Sequence, residues 1–407
     1  MPTATDFKTR RHLLAGLSSI PVALAVKDAL ASGPYLPTGA VTSAQVEALP
    51  GKKPLIKRSY RPPNYETPLS ALTSELTPAD QFFVRWHLSV IPELKPNEFR
   101  LNLSSDHSEK TLKFSINELK KHFPIIDVTA VCQCAGARRG FSDPHVAGVE
   151  WGYGAVSNAR WTGVRLRDVL GHFGTDANTV EVAFWGDDRG PLDSTPRFIK
   201  SLPISKALDD QTILAFAMNG QAIPHWNGAP LRLIVPGWTA TYWMKQITHI
   251  QCLQSASTSF WMQSAYRLPK EIFPDVDRFP TQANEKTVAV TDIMVNSLIT
   301  SVADGQRVTV NEPLKVQGVA WDNGSGIESV EVSMDDGKSW APAEIIKPIS
   351  RYSFHCYSVT LKPTQKGLLA LRVRATSSSG QKQANSLVFN PAGYHNNVPH
   401  RVEVEVL

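Results

Sequence analysis

Val128–Gly140, reading Val-Thr-Ala-Val-Cys-Gln-Cys-Ala-Gly-Ala-Arg-Arg-Gly, places the strongest constraint on the fold. Its β-branched, apolar lead-in favours a buried strand. That strand has to stop at Ala135-Gly136, where small residues open a turn, so Cys134 is delivered to a strand end with two arginines behind it. Guanidinium groups favour a thiolate over a thiol. A thiolate in such a place is either a nucleophile or a soft metal ligand, and a core cysteine beside surface arginines is the third reading. Cys132 shares a face of the same strand and lies too close for an unstrained bridge to Cys134, so it is read as core.

The N-terminus carries a separate signal. Arg10-Arg11 precede an apolar run from Leu13 to Val26, which ends near the small-residue pattern Ala29-Leu30-Ala31. The run is too short to span a bilayer, so residues 1–31 are expected to be a twin-arginine export signal and the destination the periplasm. That route carries folded proteins, commonly with a cofactor already inserted. No later segment reads as a membrane span. The net charge of +5 is too mild for nucleic acid, and four scattered cysteines, Cys132, Cys134, Cys252 and Cys356, form no disulfide framework.

Residues 32–78 are rich in Pro, Lys and Ser and are expected to form an extended arm with little core of its own. Phe82–Leu88 then reads as a strand whose alternation sends Arg85 and His87 to one face, where two cationic groups call for an anion. Leu166, Val169 and Leu170 have helical spacing. Short apolar runs at 180–185, 213–218, 231–235 and 247–253 read as strands, so residues 79–283 are expected to be a mixed α+β domain. Beyond a composition shift near Pro280–Lys286, turns at Asp304-Gly305, Asn323-Gly324, Asp336-Gly337 and Ser379-Gly380 punctuate alternating strands. This is the pattern of an all-β sandwich over 284–407, with Trp321 and Trp340 expected in its core and no cluster of catalytic groups.

Taken together, the chain resembles the sulfite oxidase family of molybdenum enzymes. The residues that carry the resemblance are Phe82–His87, Cys134–Arg139, Ala159–Gly163, Met218–Gln221, Pro230–Arg232 with Val235–Trp238, and the sandwich stretches Val319–Trp321, Val330–Ser333 and Asp336–Trp340. The resemblance implies a molybdopterin-binding domain followed by an immunoglobulin-like dimerisation domain. It implies that Cys134 is the thiolate ligand of a molybdenum–molybdopterin cofactor, that Arg85 and Arg139 bind sulfite, and that Tyr266 and Trp151 complete the substrate pocket. Arg85, Trp86, His87, Asp188, Asn227, Arg232 and Lys245 match positions that hold the cofactor. Asn227 stands where relatives carry histidine, and Ala137 where many carry asparagine.

The implied activity is oxidation of sulfite to sulfate, with electrons passed to a separate c-type cytochrome, because no Cys-x-x-Cys-His haem attachment occurs in this chain. A homodimer through the sandwich is the implied assembly. The alternative on the same scaffold is a molybdenum enzyme that reduces nitrate or a sulfoxide. The alternative of another class is a hydrolase using Cys134 with His87 or His145 as base.

Overall fold

The computed structural model describes residues 45–269 and 287–407. The twin-arginine segment, the start of the 32–78 arm and the expected domain boundary near residue 284 lie outside these residues. The fold is a mixed α+β domain followed by an all-β sandwich.

Ile125–Gln133 is the strand the sequence demanded, and its last six residues are all buried. It pairs along its whole length with Val156–Arg165, which pairs in turn with Ile213–Met218. Arg232–Ile234 joins the outer side of Ile213–Met218. A second sheet runs Ile199–Pro203, Glu181–Gly186, Ile247–Leu253, Leu101–Ser105, Leu112–Phe114. Its one parallel pair, Ile247–Leu253 with Leu101–Ser105, makes the domain mixed. Between these sheets lies a core that includes Trp151, Trp161, Phe184, Leu214, Leu233 and Ile250. The apolar period read at 166–170 forms the helix Leu166–Phe173, closed by Gly174 at φ 78°.

The arm departs from expectation. Val46–Glu47, Leu55–Ser59 and Asn64–Glu66 form a four-stranded sheet with Val84–Arg85, around a small core of Leu49, Leu55, Tyr65, Val84 and Trp86. Proline-rich composition hid it, because each strand is only two to five residues long. Phe82–Leu88 is likewise only briefly a strand, at Val84–Arg85.

The sandwich packs Asn296–Ile299, Leu314–Trp321, His355–Leu361 and Glu344–Ile345 against a second sheet of Gln306–Val308, His400–Val406, Gly367–Ser377, Ile327–Ser333 and Ala341–Pro342. Strict alternation along His400–Val406 sends Val402 and Val404 into its core. Trp340 is outside that core, half-buried with Arg374 stacked 4.1 Å from its ring. Trp321 instead closes the seam between the domains with Leu72, Val131, Val156 and Phe354, and its Nε1 donates to Gln133 Oε1 at 2.6 Å. The sandwich therefore grips the residue immediately before Cys134. Among the described residues no helix is long and apolar enough to cross a membrane.

Candidate active site

Cys134 N donates to Ala155 O at 3.0 Å, which ends the strand in register, and Ala137 N returns to Cys134 O at 3.0 Å. The tight turn continues through Arg138 at φ 67°. This left-handed residue sends the two arginines apart. Arg138 is buried in the domain seam, where its guanidinium donates to Val398 O and to Ser297 O at 3.0 Å. Arg139 turns to the opposite side, donates to Ala392 O at 2.8 Å and to Val149 O at 3.3 Å, and stacks 5.3 Å from the Tyr394 ring. Gly136 and Gly148 make room for it: a Cβ at either would stand 2.5 Å or 2.8 Å from its guanidinium nitrogens.

Cys134 is 5% exposed and lies on the wall of an inner cavity together with Phe83, Arg85, His87, Asn227, Arg232, Lys245 and Tyr266. Arg85, His87 and Tyr266 also face an outer cleft of about 980 Å³, which is where Arg139 opens. These three side chains are the doorway between the two spaces. Arg85 donates to Asn64 Oδ1 at 3.2 Å and to Tyr266 Oη at 3.4 Å, and His87 Nε2 shares a hydrogen bond with the same hydroxyl. Burial works against the charge on Arg85, but Tyr266 and Cys134 outweigh it and hold the guanidinium charged. Burial, then Arg85, Lys245 and Lys200, push His87 far below the ordinary imidazole range, so it is neutral. Burial raises the Tyr266 phenol against the pull of Arg85. Tyr266 itself sits at φ 58°, held by Val290 N donating to its carbonyl at 2.8 Å.

Three other expected site residues, Trp151, Trp86 and Asp188, lie one layer back, while Asn227 is on the cavity wall. Trp151 is fully buried behind Phe83, edge-on at 6.5 Å, and does not reach the cavity. Trp86 turns its ring to Lys245, whose Nζ is 4.7 Å from the ring centroid, and donates from Nε1 to Trp226 O at 3.0 Å. Asp188 is a buried carboxylate raised by desolvation and drawn down by Lys245. The Asn227 amide is largely committed within the protein: Oδ1 accepts from Lys52, and Nδ2 donates to Phe83 O at 3.0 Å. One amide hydrogen is left for a ligand.

The inner cavity suits an anionic cofactor. Arg85, Arg232 and Lys245 converge on it, and Arg85 Nε, His87 Nδ1 and Arg232 Nε are buried without partners among the described residues. Such atoms cost free energy unless a ligand satisfies them. Among the described residues no three His, Cys, Asp or Glu side chains cluster to hold a metal. The donor set fits molybdopterin: a thiolate for the metal, and permanent or buried cations for a phosphate.

Four contributors were not legible in the sequence. Lys52, from the arm, is buried against Ala79 O, Phe82 O and Asn227. Asn64 orients Arg85. Ala392 and Tyr394 come from the sandwich, which was expected to bring nothing to the site. None of these four stands within sixteen residues of a motif that marks the cavity.

The fold and cavity define a molybdopterin-dependent oxidoreductase: residues 87–261 match the family described as Oxidoreductase molybdopterin binding domain, and residues 287–407 match Mo-co oxidoreductase dimerisation domain. The mitochondrial sulfite oxidase of Rattus norvegicus is 33% identical over 374 residues, covering 88% of this chain and 67% of that protein. The sulfite oxidase of Gallus gallus is also 33% identical, over 84% of this chain and 76% of its own. Among solved structures, the sulfane dehydrogenase SoxCD of Paracoccus pantotrophus superposes with a TM-score of 0.72 at 25% identity, covering 95% of this chain and 94% of its own. The chain belongs to the sulfite oxidase family of molybdenum enzymes.

Proposed function

We propose that this chain oxidises sulfite to sulfate in the periplasm, reached by folded export on the twin-arginine signal, and that it delivers the electrons to a separate c-type cytochrome. The observation that carries the reading is the doorway. Arg85 and His87 meet on the Tyr266 hydroxyl between an inner cavity containing Cys134 and an outer cleft containing Arg139. A small oxyanion is best held by planar, permanently charged forks, and two are present.

Bound through the Cys134 thiolate, the molybdenum cofactor supplies the two-electron redox chemistry. Arg232, Lys245 and the remaining Asn227 N–H are the groups that would hold it. Arg139 receives the substrate dianion in the outer cleft, and Arg85 draws it inward and neutralises it. The Tyr266 hydroxyl and neutral His87 orient it by hydrogen bonds without adding charge. Arg85 and His87 are half-buried and Tyr266 is buried, which strengthens each of these contacts over its value in open water. Conversion of sulfite to sulfate takes one oxygen from water and releases two protons and two electrons, and the electrons leave singly to the acceptor. The second domain would pair two copies through the sandwich.

The two histidines named for the cysteine-hydrolase reading are engaged with other side chains. His87 Nε2 is committed to Tyr266, and His145 lies on the surface paired with Glu150 at 2.8 Å. A second reading on the same scaffold, oxidation of a sulfane sulfur, is favoured by the near-complete mutual coverage with SoxCD. Elemental analysis of exported protein, with sulfite- and thiosulfate-dependent reduction of cytochrome c in wild type and Cys134→Ser, tests both. About one molybdenum per chain and sulfite activity that collapses in the variant is the expected result. Molybdenum with thiosulfate activity alone would move the assignment to sulfane sulfur, and a well-folded protein without molybdenum would overturn both.

A further inference from the structure

Phe198 directly precedes the strand Ile199–Pro203 and Lys200 is its second residue, so the two are spaced to leave the chain on one side. Phe198 lies flat against the His87 ring, 3.6 Å between centroids and 15° between planes. Lys200 is 1% exposed. Its ammonium stands 5.3 Å from the centroid of the Tyr266 ring and 4.5 Å from that of Tyr242, and donates to Trp261 O at 2.8 Å. Trp261 is itself packed edge-on against both His87 and Phe198.

An ammonium buried in a strand, with one carbonyl acceptor and no ion pair among the described residues, is costly where leucine or methionine would pack freely. What it touches gives the reason. Two of its three neighbours, the Trp261 carbonyl and the Tyr266 ring, stand at the two ends of the six-residue run that presents the doorway hydroxyl. That run ends in a left-handed tyrosine, a conformation that persists only where its surroundings hold it.

We propose that Lys200 is the positioning residue for Tyr266. It ties down the Trp261 carbonyl and packs its amino head against the tyrosine ring, which fixes the hydroxyl where Arg85, His87 and an incoming oxyanion meet. The strand and the residue before it thus support the doorway twice, through Phe198 under His87 and Lys200 under Tyr266. The inference rests on the assignment of Arg85 and Tyr266 to binding the substrate anion.

The test is a double-mutant cycle on the holoenzyme with wild type, Lys200→Met, Tyr266→Phe and the double variant. Sulfate binding is followed by titration calorimetry, and sulfite oxidation is normalised to molybdenum. Lys200→Met is expected to weaken sulfate binding and raise the sulfite KM by about tenfold, with kcat within about twofold of wild type. In the Tyr266→Phe background the same substitution should add little, because the group it positions is gone. Lys200→Arg, which keeps charge and donor, should restore most of the loss. Unchanged binding and KM in Lys200→Met, or additive effects in the double variant, would overturn the proposal. If Lys200→Met does not fold, Lys200→Gln replaces it, and failure of both to fold would assign the residue to the core and end the proposal. A wild type that binds sulfate without oxidising sulfite would sink the substrate assignment alone, since the cycle still reads Lys200 from binding.

Discussion

Tyr394 of the sandwich lies stacked on Tyr266 of the molybdopterin-binding domain, ring centroids 5.5 Å apart and planes 16° from parallel. The second domain is thereby part of the substrate entrance, since the same Tyr394 ring also underlies Arg139. Aromatic pairs of this kind contribute about 0.5–1.5 kcal/mol beyond their buried area. Tyr394→Ala is expected to raise the sulfite KM between about twofold and tenfold while the molybdenum content stays at the wild-type level. Steady-state kinetics with metal analysis checks both halves.

Gly136→Ala addresses the seat of Arg139. The new methyl would meet Arg139 Nη2 at 2.5 Å, and because that is the far end of a side chain, the arginine moves and the backbone does not. Stability should change by less than about 1 kcal/mol, whereas the sulfite KM should rise by about tenfold or more as one fork leaves the cleft. Thermal unfolding and kinetics on one preparation separate the two effects.

The neighbouring arginines should respond in opposite ways. Arg138→Met leaves the carbonyls of Ser297 and Val398 without their donor in the domain seam, so a stability loss of about 1–3 kcal/mol is expected with a nearly unchanged KM. Arg139→Met should do the reverse, raising KM by about a hundredfold with little effect on unfolding. Equal kinetic losses in the two variants would show that the turn does not separate their roles.

The cofactor-free protein should grow more stable as pH rises from about 7 to 9. Burial pulls the ammonium groups of Lys52 and Lys200 down to about 7. Their folded-state values lie below the unfolded value near 10.4, so in this window the unfolded chain binds more protons and loses ground as they are withdrawn. Each lysine contributes on the order of 2 kcal/mol across the window. In the upper part of that window, from the unfolded thiol value of about 8.5, Cys132, raised by burial to about 11, begins to oppose them. Urea unfolding at a series of pH values, with wild type compared to Lys200→Met, gives the slope, and a flat profile for wild type would contradict the expectation.

The sequence by itself determined the strand that ends at Cys134, because β-branched residues followed by small ones are a local signal. It determined the helix at Leu166–Phe173 by its period and the sandwich by alternation and its glycine turns. Motif by motif it also marked Arg85, His87, Cys134, Arg139, Arg232, Lys245 and Tyr266, all of which the fold brings to one cavity or its doorway. Residue chemistry alone did not separate Arg138 from Arg139; the family resemblance singled out Arg139, and the physical separation depends on one left-handed residue in the turn. Nor did the sequence place Lys52, Lys200 and Tyr394, which lie 82, 66 and 260 residues from Cys134 and carry no pattern of their own. Their positions follow from which strands pair and how the two domains meet. Local propensity is written into neighbouring residues, whereas the burial of a charge or the stacking of a ring depends on long-range contacts, and those were decided by the tertiary structure.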